Sequence, residues 1–333
     1  MSPFPSDLIP DILCWLPVKT LLRLKCVSKP WRSLIDDPHF AKLHLDYSLR
    51  TSTCVECDDK AYAVDFDSLD NLVHSLALSK SRYLLPLDDD IANDHDSLPG
   101  NHYDKNTVLG FGYDEISNDY KVVKMLRSKT QNSFKVMVYS LKADSWKRID
   151  DFPYDFPTNY NDGAYVNNAL HWVGDEIGEF HGGQVIFTLD LATEKYYDVP
   201  EGDTSFKIKK CGGDCPYFGY MNAGVLGGCL CVSRDYSTCP VEDHINVWVV
   251  KEYGVKESWT ELLYLSRDQW LTNIFHTRAV GYSKNGDKVL LDDGGGRQPA
   301  WFNLENETGE TLRIAGAPQL VSTTIYVESL VSV

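Results

Sequence analysis

Apolar positions fall at helical spacing in the first forty or so residues and in short alternating runs beyond residue 100, so the chain changes period once. The segment 4–40 predicts three short helices. Leu8, Ile9, Ile12, Leu13 and Leu16 recur at steps of three and four, forming one apolar stripe. Ser6 can cap this helix, and Asp7 suits its positive end. Pro10 sits near the limit at which a helix tolerates a missing N–H. Pro17 ends the first helix and can open the second, which uses Leu21, Leu22, Leu24 and Val27. Ser28 caps the third, whose first turn accepts Pro30 and whose apolar residues are Trp31, Leu34 and Ile35. A unit of about forty residues is too small to bury so many large side chains alone. The surplus must face either the rest of the chain or another protein.

The remainder shows one recurring order: an apolar strand, a polar turn, an aromatic strand. Val136–Leu141 leads through Lys142-Ala143-Asp144-Ser145 into Trp146, and Val185–Asp190 leads through Ala192-Thr193-Glu194-Lys195 into Tyr196-Tyr197. Ile245–Val249 leads through Tyr253-Gly254 to Trp259, and Ala300–Leu304 leads to Thr311–Ile314. These hairpins recur about every 50–60 residues, near the period of kelch-type blades. Between them lie strand pairs such as Gly163–Val166 and Ala169–Val173, joined by Asn167-Asn168. Repeated β units that cannot each close a core predict a propeller-like ring. An antiparallel sandwich with chance periodicity is the alternative.

Charge separates the same two regions. Residues 1–46 carry six Lys or Arg and five Asp, a net of +1, which leaves −17 for the rest of a chain whose total is −16. So acidic a body repels phosphate backbones and disfavours nucleic acid as a partner. The basic residues between 19 and 32 suit an acidic protein partner. The first residues lack a basic, apolar leader, and no apolar run approaches the ~18 residues needed to span a bilayer, so no membrane is expected. The nine cysteines are odd in number and scattered. Together these features predict a reducing compartment, cytosol or nucleus.

The head carries a recognisable pattern. The run Pro5-x-Asp7-Leu8-Ile9, Ile12-Leu13, Leu16-Pro17-Val18-Lys19, Leu21-Leu22-Arg23 and Lys25-Cys26-Val27-Ser28-Lys29-x-Trp31-Arg32-Ser33-Leu34-Ile35 closely resembles the F-box of plant F-box proteins. Phe4 stands where that family commonly has Leu, and Pro10 occupies a variable position. The resemblance implies binding to a Skp-type adaptor and, through it, to a cullin and a RING subunit. It implies that Pro5, Leu8, Ile9, Leu13, Pro17, Leu21, Val27 and Trp31 line or support that interface, with Lys19, Arg23 and Lys25 steering an acidic adaptor.

The body resembles the plant F-box-associated domain, of kelch-like or S-locus type. The matching residues are Gly110-Phe111-Gly112-Tyr113-Asp114 with Asn118–Val123, then Tyr139…Ser145-Trp146, Ala169-Leu170-His171-Trp172, Phe187-x-Leu189-Asp190, and Ile245-x-Val247-Trp248 with Ser258-Trp259. In that family a Gly- and Cys-containing stretch and a further strand pair precede the GFG segment. Here Leu72–Leu78 runs almost directly into Ser81–Pro86. The expected fold is therefore an α+β multidomain chain. A three-helix F-box (1–46) leads through a linker with first strands and an acidic loop (47–109) to an all-β, propeller-like target-binding domain (110–333), shortened by about one blade.

Other chemistry is weaker. Cys54-x-x-Cys57 with Cys211 and Cys215 could make a zinc site, but the wide gap without knuckle glycines favours free thiols. Asp88, Asp89, Asp90, Asp94 and Asp96 lack the turn Gly and closing Glu of a calcium loop. Gly110-Phe111-Gly112 lacks the third Gly of a nucleotide loop, and Gly294-Gly295-Gly296-Arg297 beside Asp292 and Asp293 fits a hairpin turn. His171 fits a satisfied structural histidine. No catalytic site, metal or cofactor is expected. The functional expectation is a non-catalytic substrate-recognition subunit of a Skp–cullin–F-box ubiquitin ligase that recruits an unknown target protein. The alternatives are a specialised receptor, for pollen ribonucleases of S-locus type or for immune receptors, and a propeller-type enzyme with a helical cap.

Overall fold

The computed structural model describes residues 9–14, 16, 18–48, 52–57, 60–65, 74–76, 107–127, 134–152, 163–175, 184–199, 220–236, 244–266, 277–283, 285–292, 299–311 and 322–325. The chain divides into two compact units, residues 1–79 with 280–333 and residues 80–279.

The first unit opens with helices α1 (Ile9–Cys14), α2 (Val18–Leu24), α3 (Lys29–Ile35) and α4 (Pro38–Ser48). Three were expected and a fourth is found. Asp37 Oδ1 accepts the His39 N–H at 2.8 Å and Pro38 opens the helix, the same start signal that marks α3. For α3 the expected cap is present: Ser28 is extended and its hydroxyl oxygen accepts the Trp31 N–H at 3.3 Å. Pro10 lies in the first turn of α1, where its missing N–H costs nothing. Leu13, Cys14, Leu21, Ile35 and Phe40 form the buried centre of this bundle. His44 of α4, also buried, donates from Nε2 to the Leu16 carbonyl at 2.9 Å.

The rest is β structure, and among the described residues it forms five four-stranded antiparallel sheets. β1 (Ser52–Cys57), β2 (Lys60–Asp65) and β3 (His74–Leu76) make three strands of the first sheet. The second contains β4 (Thr107–Asp114), β5 (Asp119–Arg127), β6 (Phe134–Ser140) and β7 (Ser145–Arg148); the third contains β8 (Ala164–Val166), β9 (Ala169–Asp175), β10 (Gln184–Asp190) and β11 (Tyr196–Asp198). The fourth is β12 (Tyr220–Leu226), β13 (Cys229–Asp235), β14 (His244–Val250) and β15 (Trp259–Ser266). The fifth is β16 (Arg278–Tyr282), β17 (Lys288–Asp292), β18 (Ala300–Asn303) and β19 (Thr308–Thr311). The last strand, β20 (Ser322–Ile325), returns to pair with β1, so the first sheet is built from both ends of the β region. The repeat read from the sequence is thus a four-strand meander, the unit of a propeller-like domain.

In the second unit the meanders pack face to face. Val123, Met125, Val136 and Val138 of one sheet meet Leu170, Trp172, Phe187 and Leu189 of the next. That sheet's Ala164, Val166, Val173 and Ile186 in turn meet Met221, Leu230, Val232 and Val250. Gly110 and Gly163 form a parallel bridge, with the Gly163 N–H donating to the Leu109 carbonyl at 2.8 Å, so the first strands of two successive sheets touch. The GFG segment is therefore a strand, not a phosphate loop. A Cβ at Gly112 would come within 2.5 Å of the Tyr165 ring, so its glycine makes room for the neighbouring sheet.

The polar turns share a construction. Asp114, Ser140, Asp190 and Asn303 each use a side-chain oxygen to accept backbone N–H groups two or three residues on. Four residues after each, Asn118, Asp144, Glu194 and Glu307 adopt φ of 49° to 55°. The shorter turn Asn167-Asn168 also has both residues at positive φ, as a two-residue hairpin requires.

Candidate protein-binding surface of the helical head

The head fills its own core and still leaves apolar side chains outside. Leu13 and Leu21 are 1% and 0% exposed, whereas Ile12, Leu22 and Val27 are 51%, 50% and 63% exposed. Ile12 lies on α1, Leu22 on α2 and Val27 in the turn before α3. Two adjacent pairs divide: Leu13 goes inward and Ile12 outward, Leu21 inward and Leu22 outward.

The eight interface residues expected from the sequence separate accordingly. Val27 is at the surface. Ile9 and Trp31 are half-buried and rest against the bundle core. Leu13 and Leu21 lie within that core, which fits a supporting place rather than a lining one. Pro5, Leu8 and Pro17 lie outside the described residues. The periodic reading placed Ile12 on the same stripe as Leu13 and grouped Leu22 with Leu21 in the second helix; Ile12 and Leu22 stand at the surface.

Charge around this surface is also divided. The Lys25 ammonium lies 2.6 Å from Asp36, and the Arg32 guanidinium is 3.6 Å from the same carboxylate. The Lys25 hydrogen bond and charge hold the exposed Asp36 carboxyl below its ordinary range. Of the three steering residues expected, Lys25 is therefore committed within the head, Arg23 is exposed, and the Lys19 side chain lies outside the described residues. Cys26 is an exposed free thiol in the same turn as Val27.

The other candidates resolve differently. His171 is fully buried; its Nδ1–H donates to the Ala164 carbonyl at 3.0 Å and its Nε2 accepts from the Tyr253 hydroxyl at 2.6 Å. Burial pushes its pKa down to about 4, so it is a neutral structural group. No cluster of metal-ligating side chains occurs among the described residues. The side chains of Cys54 and Cys57, and Cys211, Cys215, the acidic run 88–96 and Gly294–Arg297 as a whole, lie outside the described residues. No helix among the described residues is long and apolar enough to cross a membrane.

A helical head with an unburied apolar surplus, joined to four-stranded meanders, matches two known families in that order. The F-box domain matches residues 1–43, and the F-box associated beta propeller domain matches residues 97–333. The chain belongs to the F-box proteins with an F-box associated β-propeller domain. F-box protein CPR1 of Arabidopsis thaliana is 31% identical across 99% of this chain and 89% of its own length. F-box protein At4g22390 and F-box/kelch-repeat protein At3g23880 of the same plant are each 28% identical, over 94% and 78% of this chain and 87% and 78% of their own lengths. The alignment with CPR1 runs over 382 positions, to which this F-box protein supplies at most 333 residues, so at least 49 positions of the relative face gaps. Among solved structures, TolB from Acinetobacter baumannii shares 11% identity over 80% of this chain and 53% of its own, at a TM-score of 0.34, a likeness too slight to decide anything.

Proposed function

We propose that this F-box protein is the substrate-recognition subunit of a Skp–cullin–F-box ubiquitin ligase, acting in the cytosol or nucleus. The head binds a Skp-type adaptor, and the β domain holds a target protein. The observation that carries this reading is the exposure of Ile12, Leu22 and Val27 on a head whose core is already full. Burying the exposed half of each side chain would contribute about 1 kcal/mol, and exposed Arg23 and Lys29 would speed encounter with an acidic partner. The chain's contribution to ubiquitination is positional. A target held near a charged conjugating enzyme presents its lysine at a raised effective concentration, and no group of this chain need take part in bond making.

The test is co-elution of the full chain with a recombinant Skp-type adaptor. The triple variant Ile12→Ser, Leu22→Ser, Val27→Ser should bind at least tenfold more weakly with unchanged helical circular dichroism. Alanine at Leu13 and Leu21 would be a poor test, since it would unfold the head. Absence of adaptor binding by the parent chain, or full retention by the triple variant, would remove the proposal.

A further inference from the structure

The fourth sheet differs from the second, third and fifth in its last strand. The last strands β7, β11 and β19 have four, three and four residues, whereas β15 has eight. Among the described residues β15 has β14 as its one strand partner, with a register shift between Val247 and Trp248. A long strand edge presents a row of backbone donors and acceptors ready to take another extended chain.

One end of this edge is braced. Met221, Arg234, Asn246 and Tyr264 stand in a cross-strand row, and Tyr236 and His244 follow on the same face. The Tyr236 and His244 rings lie 4.5 Å apart, and His244 stacks on Tyr264 at 4.7 Å and 24°. Arg234, almost fully buried, donates from Nη1 to the Tyr236 hydroxyl at 3.1 Å and places its guanidinium 5.9 Å from that ring. Tyr264, at the end of the stack, keeps 51% of its surface exposed. An aromatic side chain already fixed by its neighbours loses little entropy on binding, which is why such groups dominate interfaces.

We propose that the β15 edge docks an extended, basic segment of a partner protein, which adds as a fifth strand and lays a Lys or Arg side chain on the Tyr264 ring. The inference rests on the reading of the β domain as a target holder and names where and what it holds. The length of the edge selects an extended chain. The sign of the partner follows from the net charge of −17 outside the head, and from the preference of a tyrosine face for a cation.

The test uses the full chain and two eight-residue peptides, (Lys-Thr)4 and (Glu-Thr)4, which share a strand-forming pattern and differ in sign. Binding is read by fluorescence anisotropy and by amide hydrogen exchange. The basic peptide should bind at least tenfold more tightly than the acidic one and slow exchange across residues 259–266. Tyr264→Ala and His244→Ala should each weaken it about three- to tenfold, while Tyr264→Phe should not. No preference for the basic peptide, no slowing in 259–266, or unchanged binding by Tyr264→Ala would each overturn the proposal. The last result would mean diffuse attraction to the acidic body, because that substitution leaves net charge unaltered. Adaptor co-elution measured on the same variants separates the two readings: it should be untouched by Tyr264→Ala, and its failure in the parent chain would strike the ligase proposal alone.

Discussion

The indole of Trp172 lies so close to Gly163 that a Cβ on the glycine would stand 2.6 Å from the ring, and Gly110 on the adjoining strand meets the same ring at the same distance. Trp172 is fully buried and reaches the Leu109 carbonyl with its Nε1–H at 3.4 Å, so the indole has nowhere to retreat. Gly110→Ala and Gly163→Ala should therefore each destabilise the second unit by about 1–3 kcal/mol through overpacking. Because both substitutions push on one ring, the double variant should lose less than the sum. Gly224→Ala is the control. Its Cβ would meet Cys231 Sγ at 3.4 Å, the near edge of ordinary contact, and it should change stability by less than about 0.5 kcal/mol. Urea unfolding followed by tryptophan fluorescence measures all four.

Acid should weaken the same unit through His171. Its folded-state pKa of about 4 lies below the ordinary 6.5, so the unfolded chain takes up a proton that the folded chain refuses. Stability is complete above pH 6.5, falls as pH drops through the window to about 4, and levels off below it. At about 1.36 kcal/mol per pH unit the loss is on the order of 3 kcal/mol. His171→Gln should flatten this slope while lowering stability at pH 7.5, since Tyr253 loses its ring partner. Urea midpoints at pH 7.5 and 4.5 for parent and variant decide it; an equal pH slope in both would exclude His171 as the cause.

Much of the fold could be read from the order of residues. The strand–turn–strand repeats appear as meanders, and Asn167-Asn168 forms the expected tight turn. The construction of the longer turns was only half legible. Asn118 and Asp144 are residue types that accept positive φ, but Glu194 and Glu307 adopt it without that preference, held by their place in the turn. In the head, spacing gave the helices but not their inward faces. Whether Ile12 or Leu13 is buried depends on where α4 packs, and α4 itself was missed although Asp37-Pro38 carries a start signal.

That start signal has a measurable weight at the neighbouring helix. The Ser28 side chain caps α3, and α3 supplies Ile35 to the core and Trp31 to its margin. Ser28→Ala should cost the head about 1 kcal/mol, and Ser28→Asp should keep the cap. Thermal loss of helical signal in the full chain gives the comparison; equal destabilisation by Ala and Asp would show that the hydroxyl oxygen is not acting as a cap.

A last prediction concerns Lys121, which is buried where the second and third sheets meet. Its ammonium donates to the Leu191 carbonyl at 2.5 Å and stands 3.0 Å from Asp114 Oδ2, with Glu194 at 3.9 Å. Burial alone would raise the Asp114 carboxyl, but hydrogen bonds from the Ser117 hydroxyl, Lys121 and the Ile116 N–H outweigh it and hold the group below its ordinary value. Its contribution is therefore complete above the ordinary carboxylate pKa of 3.8 and is lost as pH falls below that value. Lys121→Met would leave the carboxylate buried without its cation and strip the Leu191 carbonyl of a donor. The expected loss is about 3–5 kcal/mol, the range for breaking one side of a buried pair. Adding Asp114→Asn removes the stranded charge while an amide oxygen in the Oδ1 place can still accept from the Ile116 and Ser117 N–H groups, so the double variant should regain part of the loss. A double-mutant cycle in urea at pH 7 reads the coupling directly. If Asp114→Asn made Lys121→Met worse rather than better, the lysine's main task would be the Leu191 carbonyl, and the ion pair would be incidental to joining the two sheets.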